Sequence, residues 1–217
     1  MTRQRLLKSG RRLTKVFFSK VFTTFYRRVV IVVQPIQTPI PELSARVPIV
    51  PGQLASDVVA AYDEFRPSER AKARQRLGSG GEECFVAWHE GRIVHATWVA
   101  TGRAYVPYLN RDLLLESDQM YLHDAYTLPA YRGCNIAPVM FAYIMQCYLE
   151  RGFLEFVAVA TVEKARKRFY EKYGGKVVGS YSCLRLGRWQ TQWQQTMSEA
   201  PLPFTKAAGR SWRDAEG

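Results

Sequence analysis

The segment with the clearest chemical pattern runs from Thr127 to Ala137 and reads Thr-Leu-Pro-Ala-Tyr-Arg-Gly-Cys-Asn-Ile-Ala. It lies between a predicted strand and a predicted buried helix. Such a loop can turn successive backbone N–H groups toward one point at the positive end of a helix dipole, which suits a pyrophosphate. Gly133 removes a Cβ that would block close approach, and Pro138 sits where a missing N–H does no harm. The same pattern also fits an ordinary strand-to-helix connection.

Side chains on the strand before this loop are candidates for proton transfer. Alternation along a strand predicts one face with Tyr121, His123, Ala125 and Thr127, and the other with Asp124 and Tyr126. His123 is the best candidate for a general base, because imidazole titrates near neutrality. A structural histidine with satisfied hydrogen bonds is an equally good interpretation. His95 and Asp124 are further candidates for the base.

The hydrophobic pattern predicts the elements that position these residues. Two helices precede a hairpin, which is followed by a strand, a buried helix, a second buried strand, an amphipathic helix and closing strands. In order, they are residues 56–65, 68–77, 84–88 with 93–101 around a Glu90-Gly91 turn, 120–128, 135–151, 153–160, 162–173, 176–178 and 181–186. A strand-helix-strand unit implies a parallel crossover. We therefore expect an α/β protein with a twisted mixed sheet and helices on both faces.

Two segments of the chain resemble motifs of one family, the Gcn5-related N-acetyltransferases (GNAT). In that family a strand leads through V-x-P-x-x-R-G-x-G-x-G/A into a helix, and here Pro129, Arg132, Gly133 and Ala137 match it, with Tyr131 and Ile136 also in agreement. Thr127 stands where Val is usual, and Asn135 replaces the central Gly. The second segment, residues 169–175 (Phe-Tyr-Glu-Lys-Tyr-Gly-Gly), resembles the end of the family's penultimate helix, although Glu163 replaces a frequent Asn. The resemblance covers roughly residues 46–187.

The resemblance implies a site for acyl-CoA, with acetyl-CoA as the expected donor. It assigns pairing with the pantetheine arm to the backbone of Tyr126, Thr127 and Leu128. It assigns the pyrophosphate to the backbone amides of Arg132, Gly133, Cys134, Asn135, Ile136 and Ala137. Tyr170 would protonate the leaving thiolate, which a phenol near pKa 10 can do. A packing aromatic is the other interpretation of Tyr170.

The function that follows is acyl transfer from acyl-CoA to an amine, by direct attack in a ternary complex. The family's general base does not transfer by position, so His123 remains a candidate from its own chemistry. No motif identifies the amine acceptor. The alternative is a protein of the same fold that binds CoA without catalysis, or that is recruited to a membrane as an interaction module.

The basic charge of the chain is concentrated at its N-terminus. The chain has 31 Lys and Arg residues and 19 Asp and Glu residues. Nine of the basic residues lie in residues 1–28, which contain no acidic residue. Leu and Phe fall on one half of a helical wheel there, and Lys and Arg on the other. An amphipathic helix at an anionic membrane surface, through residues 3–28, fits this pattern. A helix packed on its own domain, a transit peptide and a nucleic-acid arm are the alternatives, and nucleic acid is disfavoured because residues 29–217 are nearly neutral.

Composition sets the remaining expectations. We predict three regions: a basic arm (1–28), an acyltransferase-like domain (29–187) and a loosely ordered tail (188–217). The four cysteines, Cys84, Cys134, Cys147 and Cys183, show no metal-ligand spacing, so we expect free thiols and no metal. No apolar run reaches the length of a transmembrane span. The predicted location is the cytoplasm, with peripheral attachment to a membrane through the arm.

Overall fold

The computed structural model describes residues 26–55, 59–161, 176–186, 189–197 and 204–206. The strands, in chain order, are β1 (Tyr26–Pro35), β2 (Val50–Gln53), β3 (Glu82–His89), β4 (Arg92–Thr101), β5 (Arg103–Val106), β6 (Arg111–Leu114), β7 (Gln119–Thr127), β8 (Glu155–Thr161), β9 (Lys176–Leu186), β10 (Trp189–Thr196) and β11 (Phe204–Lys206). The helices are α1 (Val59–Phe65), α2 (Arg70–Ser79) and α3 (Ile136–Glu150). Residues 1–25 of the predicted N-terminal helix and the predicted helix over 162–173, which carries Tyr170, lie outside the described residues, whereas residues 26–28 belong to β1.

One eight-stranded mixed sheet forms the centre of the molecule, in the order β10-β9-β1-β8-β7-β4-β3-β2. Every neighbouring pair is antiparallel except β7 and β8, which are parallel and are connected through α3. The predicted parallel crossover and the predicted hairpin of β3 and β4 are therefore confirmed. Glu90 (φ 48°) and Gly91 (φ 75°) form the hairpin turn, and two positive φ values in succession match the right-handed twist of the flanking strands.

Both faces of the sheet are covered, as predicted. The side chains of Val94 and Val99 point to the face that α3 covers, and those of Ile93 and Trp98 point to the face that α1 and α2 cover. A three-stranded sheet, in the order β11-β6-β5, continues the second layer beyond α1 and α2 through a core around Leu109. The helix α3 is not buried all round as its apolar pattern predicts: Ile136, Met140, Ile144, Met145 and Tyr148 are buried, and its other residues are half-buried or exposed. Its half-buried apolar residues and the extended segment before β2 pack on the same core.

The N-terminal strand β1 lies inside the sheet, between β8 and β9. The sequence predicts a buried strand over residues 29–33, but β1 starts at Tyr26 and extends to Pro35. The predicted boundary at residue 28 therefore falls within the strand. Since β1 is antiparallel to β8, with Val29 opposite Thr161, the chain enters the sheet at the end where β8 finishes.

The C-terminal part is more ordered than its composition predicts. The expected loose tail over 188–217 contains β10, which pairs with β9 along its whole length, and β11, which pairs with β6. The two short closing strands predicted over 176–178 and 181–186 form one strand, β9. The sequence pattern missed β10 because this edge strand has no alternation of aliphatic residues: Thr191 and Gln192 are half-buried and residues 193–196 are exposed. Gln192 Oε1, for example, accepts hydrogen bonds from Arg111 Nε at 2.9 Å and from the Tyr181 hydroxyl at 2.7 Å.

Candidate active site

The two parallel strands of the sheet part from one another at the candidate site. β7 and β8 pair only from Gln119 opposite Glu155 to Tyr121 opposite Val157. β7 then runs on to Thr127 and β8 to Thr161, so the edge of β7 that faces β8 has no strand partner beyond Tyr121 in the described part of the chain. An unpaired strand edge offers backbone donors and acceptors to an extended ligand.

A bulge at Asp124 changes the faces of β7. Asp124 has φ 50°, and the pairing with β4 slips there, so that Ala96 lies opposite Tyr126 but Trp98 lies opposite His123. The strict alternation predicted from the sequence is therefore wrong, because an extra residue in a strand reverses the faces that follow it. His123 and Asp124 both meet the layer of α1 and α2, through Glu82 and Arg76.

The loop after β7 leaves four of the six amides that the resemblance assigns to the pyrophosphate without a backbone partner among the described residues. The amides of Arg132 and Cys134 instead donate to the carbonyls of Pro129 (3.3 Å) and Tyr131 (3.4 Å). A single 3₁₀ turn, Pro129–Tyr131, is followed by Gly133 at φ 81° and by Asn135 at φ 61°, directly before α3. The amides of Gly133, Asn135, Ile136 and Ala137 donate to no backbone carbonyl of the described residues. Positive φ values that alternate with ordinary ones turn successive N–H groups to the same side, and the helix dipole adds to their positive potential.

An open depression of about 590 Å³ lies against this loop. The described residues that line it are Ser44, Arg46, Thr127, Tyr131, Arg132, Gly133, Asn135, Ile136, Ala137 and Pro138. Two of them are arginines and none is a carboxylate, so the depression carries positive charge as well as free amides. Such a site binds a phosphate-bearing ligand.

Asn135 keeps its side chain away from the loop's amides. Its Nδ2 donates to the carbonyl oxygen of Ser44 at 2.7 Å, and the Arg46 amide donates to the Cys134 carbonyl at 2.9 Å. Asn is one of the few non-Gly residues that adopt positive φ at low cost. The replacement of the family's Gly by Asn therefore leaves the loop conformation intact and ties it to the segment before β2.

The remaining residues that the resemblance assigns to the donor lie around this loop. The Leu128 amide donates to the Val94 carbonyl at 3.0 Å, so within the sheet it is already paired. Arg132 Nε donates to the Thr127 carbonyl at 3.2 Å, and its guanidinium lies 5.8 Å from the centre of the Tyr126 ring. Cys134 is half-buried below the loop.

His123 lies at the point where the strands part, although it does not line the depression. Its ring stacks on Tyr121 with centroids 5.0 Å apart, and its side chain is 12% exposed. Its Nε2 lies 3.2 Å from Glu82 Oε2, without the alignment of a hydrogen bond. Arg76 Nε lies 3.4 Å from the same carboxylate. The structure thus gives the predicted base a carboxylate neighbour that the sequence analysis did not name.

Asp124 is unsuited to proton transfer because two arginines hold it. Arg66 Nη1 and Arg76 Nη1 each donate to one of its oxygens at 2.8 Å. Burial alone would raise the pKa of Asp124, but the two hydrogen-bonded guanidinium groups outweigh it and hold the pKa below its ordinary value. The sequence analysis named Asp124 as a further candidate base. It is instead an ionised anchor that fastens α2 and the end of α1 to β7.

His95, the other further candidate for the base, is buried within the sheet. The imidazole is 1% exposed, with Nδ1 2.7 Å from Thr127 Oγ1 and Nε2 2.8 Å from Thr97 Oγ1. Burial lowers the pKa of His95 to about 4, so the ring is neutral near pH 7. His89, the third histidine, lies against the loop, with its ring 5.3 Å from that of Tyr131.

A mixed sheet whose two parallel strands part beside a loop at a helix N-terminus, with helices on both faces, defines the class of α/β protein to which the chain belongs. The chain belongs to the acetyltransferase (GNAT) family, whose family model matches residues 53–175, more than half of the chain. A comparison with curated protein sequences gives no match. Among the described residues, no cluster of three or more His, Cys, Asp or Glu could hold a metal ion, and no helix is long and apolar enough to cross a membrane.

Solved structures share this fold at low sequence identity. A GCN5-related glucosamine N-acetyltransferase region of a fungal multi-domain GH3 beta-N-acetylglucosaminidase is 18% identical, with a TM-score of 0.56 over 79% of this chain and 22% of that one. The chain therefore spans about a fifth of the length of the fungal protein. A conserved Staphylococcus epidermidis protein of unknown function is 16% identical, with a TM-score of 0.49 over 77% and 64%. The aminoglycoside N-acetyltransferase AAC(6')-Iy is 15% identical, with a TM-score of 0.44 over 58% and 90%.

Proposed function

We propose that the protein is an N-acyltransferase that uses an acyl-CoA donor, with acetyl-CoA the expected one. The observation that carries the proposal is the split between β7 and β8 beside the free amides of Gly133, Asn135, Ile136 and Ala137. The split edge suits the amide-bearing pantetheine arm, and the positively charged depression suits the pyrophosphate. Membership of the acetyltransferase family supports the same donor.

The proposed reaction is direct attack of the amine on the thioester in a ternary complex. A new N–C bond forms and the C–S bond breaks. The ammonium gives one proton to a base before the attack, the CoA thiolate takes a proton from an acid, and the second proton that the nitrogen loses as the amide forms restores the acid. Positioning of the two substrates supplies much of the rate enhancement. His123, at the split and beside Glu82, is the proposed base, and a carboxylate neighbour stabilises the imidazolium that it becomes. Tyr170, outside the described residues, is the proposed acid.

The experiment is a titration of the full chain with acetyl-CoA, longer acyl-CoAs and free CoA, followed by a screen of amines for release of CoA thiol. The proposal expects micromolar binding of one thioester and turnover with at least one amine. We expect Tyr170→Phe to bind the donor normally and to lose turnover at least tenfold. Tyr105→Phe, in the three-stranded sheet, is the matched control and should leave both unchanged. Donor binding without any effect of Tyr170→Phe and without turnover would favour the non-catalytic CoA-binding alternative.

We further propose that residues 3–28 bind an anionic membrane surface and bring the site close to it. The nine basic residues before Val29 support this, as does the entry of β1 at the end of the sheet where β7 and β8 have parted. An amine carried by a lipid or an envelope precursor would then be a suitable acceptor.

The arm is tested by flotation with phosphatidylglycerol and phosphatidylcholine vesicles. Deletion to residue 28 would remove the first residues of β1, so charge substitution is the better variant. Arg11→Gln combined with Arg12→Gln and Lys15→Gln should abolish flotation with the anionic vesicles only. Binding to duplex DNA that falls steeply with salt would instead favour the nucleic-acid alternative.

A further inference from the structure

A chain of three polar side chains crosses the buried part of the sheet and ends at the depression. Thr97 and His95, both on β4, are 5% and 1% exposed. Thr97 Oγ1 lies 2.8 Å from His95 Nε2, and His95 Nδ1 lies 2.7 Å from the hydroxyl of Thr127, opposite on β7. Both ring nitrogens are thereby satisfied by hydroxyl groups.

Stability alone does not account for this chain of polar groups. Burying an imidazole removes it from water, and burial lowers the pKa of His95 to about 4, which shows how strongly the site disfavours the charged form. The surrounding strand residues Ala96 and Val99 are aliphatic and completely buried. An aliphatic pair in place of His95 and Thr127 would fill the same layer without any polar group to satisfy.

A neutral imidazole has one donor and one acceptor nitrogen, so it fixes the direction of both hydroxyls. Either Nδ1–H donates to Thr127 Oγ1 and leaves the threonine proton free, or the threonine proton goes to Nδ1 and leaves the oxygen as an acceptor. In both arrangements the Thr127 hydroxyl can still form a further hydrogen bond: its free proton can be donated in the first, and its oxygen can accept in the second. Thr97 holds the other ring nitrogen in either arrangement, because its hydroxyl can donate or accept.

Thr127 lies where its hydroxyl could contact a ligand bound in the depression. It is the last residue of β7, it is half-buried, and it lines the depression between the unpaired strand edge and the loop of free amides. The Thr127 carbonyl oxygen already accepts a hydrogen bond from Arg132. The hydroxyl is the polar group of its side chain, and its direction is set by the hydrogen bond to His95. Thr127 also departs from the Val that the family motif usually has at this position.

We propose that His95, held by Thr97, is a positioning residue that fixes the Thr127 hydroxyl as a hydrogen-bonding group for the amide-bearing arm of the thioester donor. The inference rests on the proposed function, because it assumes a donor of that kind. The proposed contact, made by a side chain that the core of the sheet positions, is additional to the backbone contacts that the motif implies.

The first test compares Thr127→Val with Thr127→Ser in the full chain, by calorimetry and by competition. Acetyl-CoA and S-acetylpantetheine carry the arm, whereas adenosine 3′,5′-bisphosphate does not. We expect Thr127→Val to weaken both arm-bearing ligands by about tenfold, the loss of one hydrogen bond, and to leave the bisphosphate unchanged. Thr127→Ser keeps the hydroxyl and should bind within about twofold of the native protein. Equal binding of acetyl-CoA by both variants, or equal weakening of all three ligands, would overturn the proposal.

The second test separates positioning from packing. The double variant His95→Leu with Thr127→Val removes both polar groups and keeps an apolar layer. We expect it to unfold at native or higher urea concentration and still to bind acetyl-CoA about tenfold more weakly. Recovery of native donor binding in this variant would show that the pair matters for packing only, and would sink the proposal. If the native protein itself binds no acyl-CoA, the proposed function fails first, and the two failures are therefore distinguishable.

Discussion

Asn135 and Ser44 are joined by a hydrogen bond of 2.7 Å that ties the amide-presenting loop to a segment 91 residues earlier in the chain. We predict that Asn135→Gly, which keeps positive φ and loses this bond, lowers the free energy of unfolding by about 1 kcal/mol. Donor affinity should change by no more than about twofold, because the amides stay in place. Urea unfolding and calorimetry with acetyl-CoA measure the two effects.

Asn135→Val is the contrasting variant at the same position. A β-branched residue at φ 61° is strained, so the loss of unfolding free energy should reach about 2–3 kcal/mol and donor affinity should fall at least tenfold. If Asn135→Gly harmed donor binding as much as Asn135→Val, the loop would depend on the bond to Ser44 rather than on its positive φ.

Gly133→Ala tests whether the loop holds a ligand. Gly133 (φ 81°) and Gly102 (φ 67°) both have positive φ, and a Cβ at either would meet no atom within 4 Å. Both alanine variants should therefore lose about 1 kcal/mol of unfolding free energy. Only Gly133→Ala should weaken acetyl-CoA binding, because its methyl group would stand where the pyrophosphate approaches. Equal donor affinity in the two variants would count against the loop as the phosphate site.

Asp124→Asn should weaken the attachment of α2 and the end of α1 to β7. It leaves Arg66 and Arg76 partly buried beside a neutral amide, and we expect a loss of about 2–3 kcal/mol at pH 7. The folded-state pKa of Asp124 is held below its ordinary value of 3.8, so its contribution is complete above that value and disappears as pH falls through the folded-state pKa. The native and variant unfolding curves should therefore converge in acid. A gap that stays constant down to pH 3 would contradict this explanation.

His95 should make the protein sensitive to mild acid. Its folded-state pKa, about 4, lies below the ordinary 6.5, so the unfolded chain binds an extra proton between these values. Stability is then greatest above pH 6.5 and falls by up to about 3 kcal/mol as pH decreases toward 4. His95→Gln should flatten this part of the curve of unfolding free energy against pH.

Local patterns predicted much of the fold and of the donor loop. The Glu90-Gly91 turn and the apolar run of α3 are visible in the sequence because each depends on neighbouring residues. The Asp124 bulge is not visible in the sequence, because one residue at positive φ changes the faces of the strand without changing its composition. The position of β1 is also invisible, since its partners in β8 and β9 lie 120 or more residues away. The polar chain of Thr97, His95 and Thr127 likewise depends on cross-strand register.

The position of β1 has a consequence for biosynthesis. β1 is translated before every other strand that the structure describes, yet the hydrogen bonds on both of its edges require strands that are made 120 or more residues later. Its central residues Ile31 and Val32, fully buried in the finished sheet, stay without their partners until β8 and β9 have been translated. Contacts of such high sequence separation slow folding, and an unpaired aliphatic strand invites association with other chains. The nascent protein is therefore expected to need chaperone protection of its N-terminal end until β9 is complete.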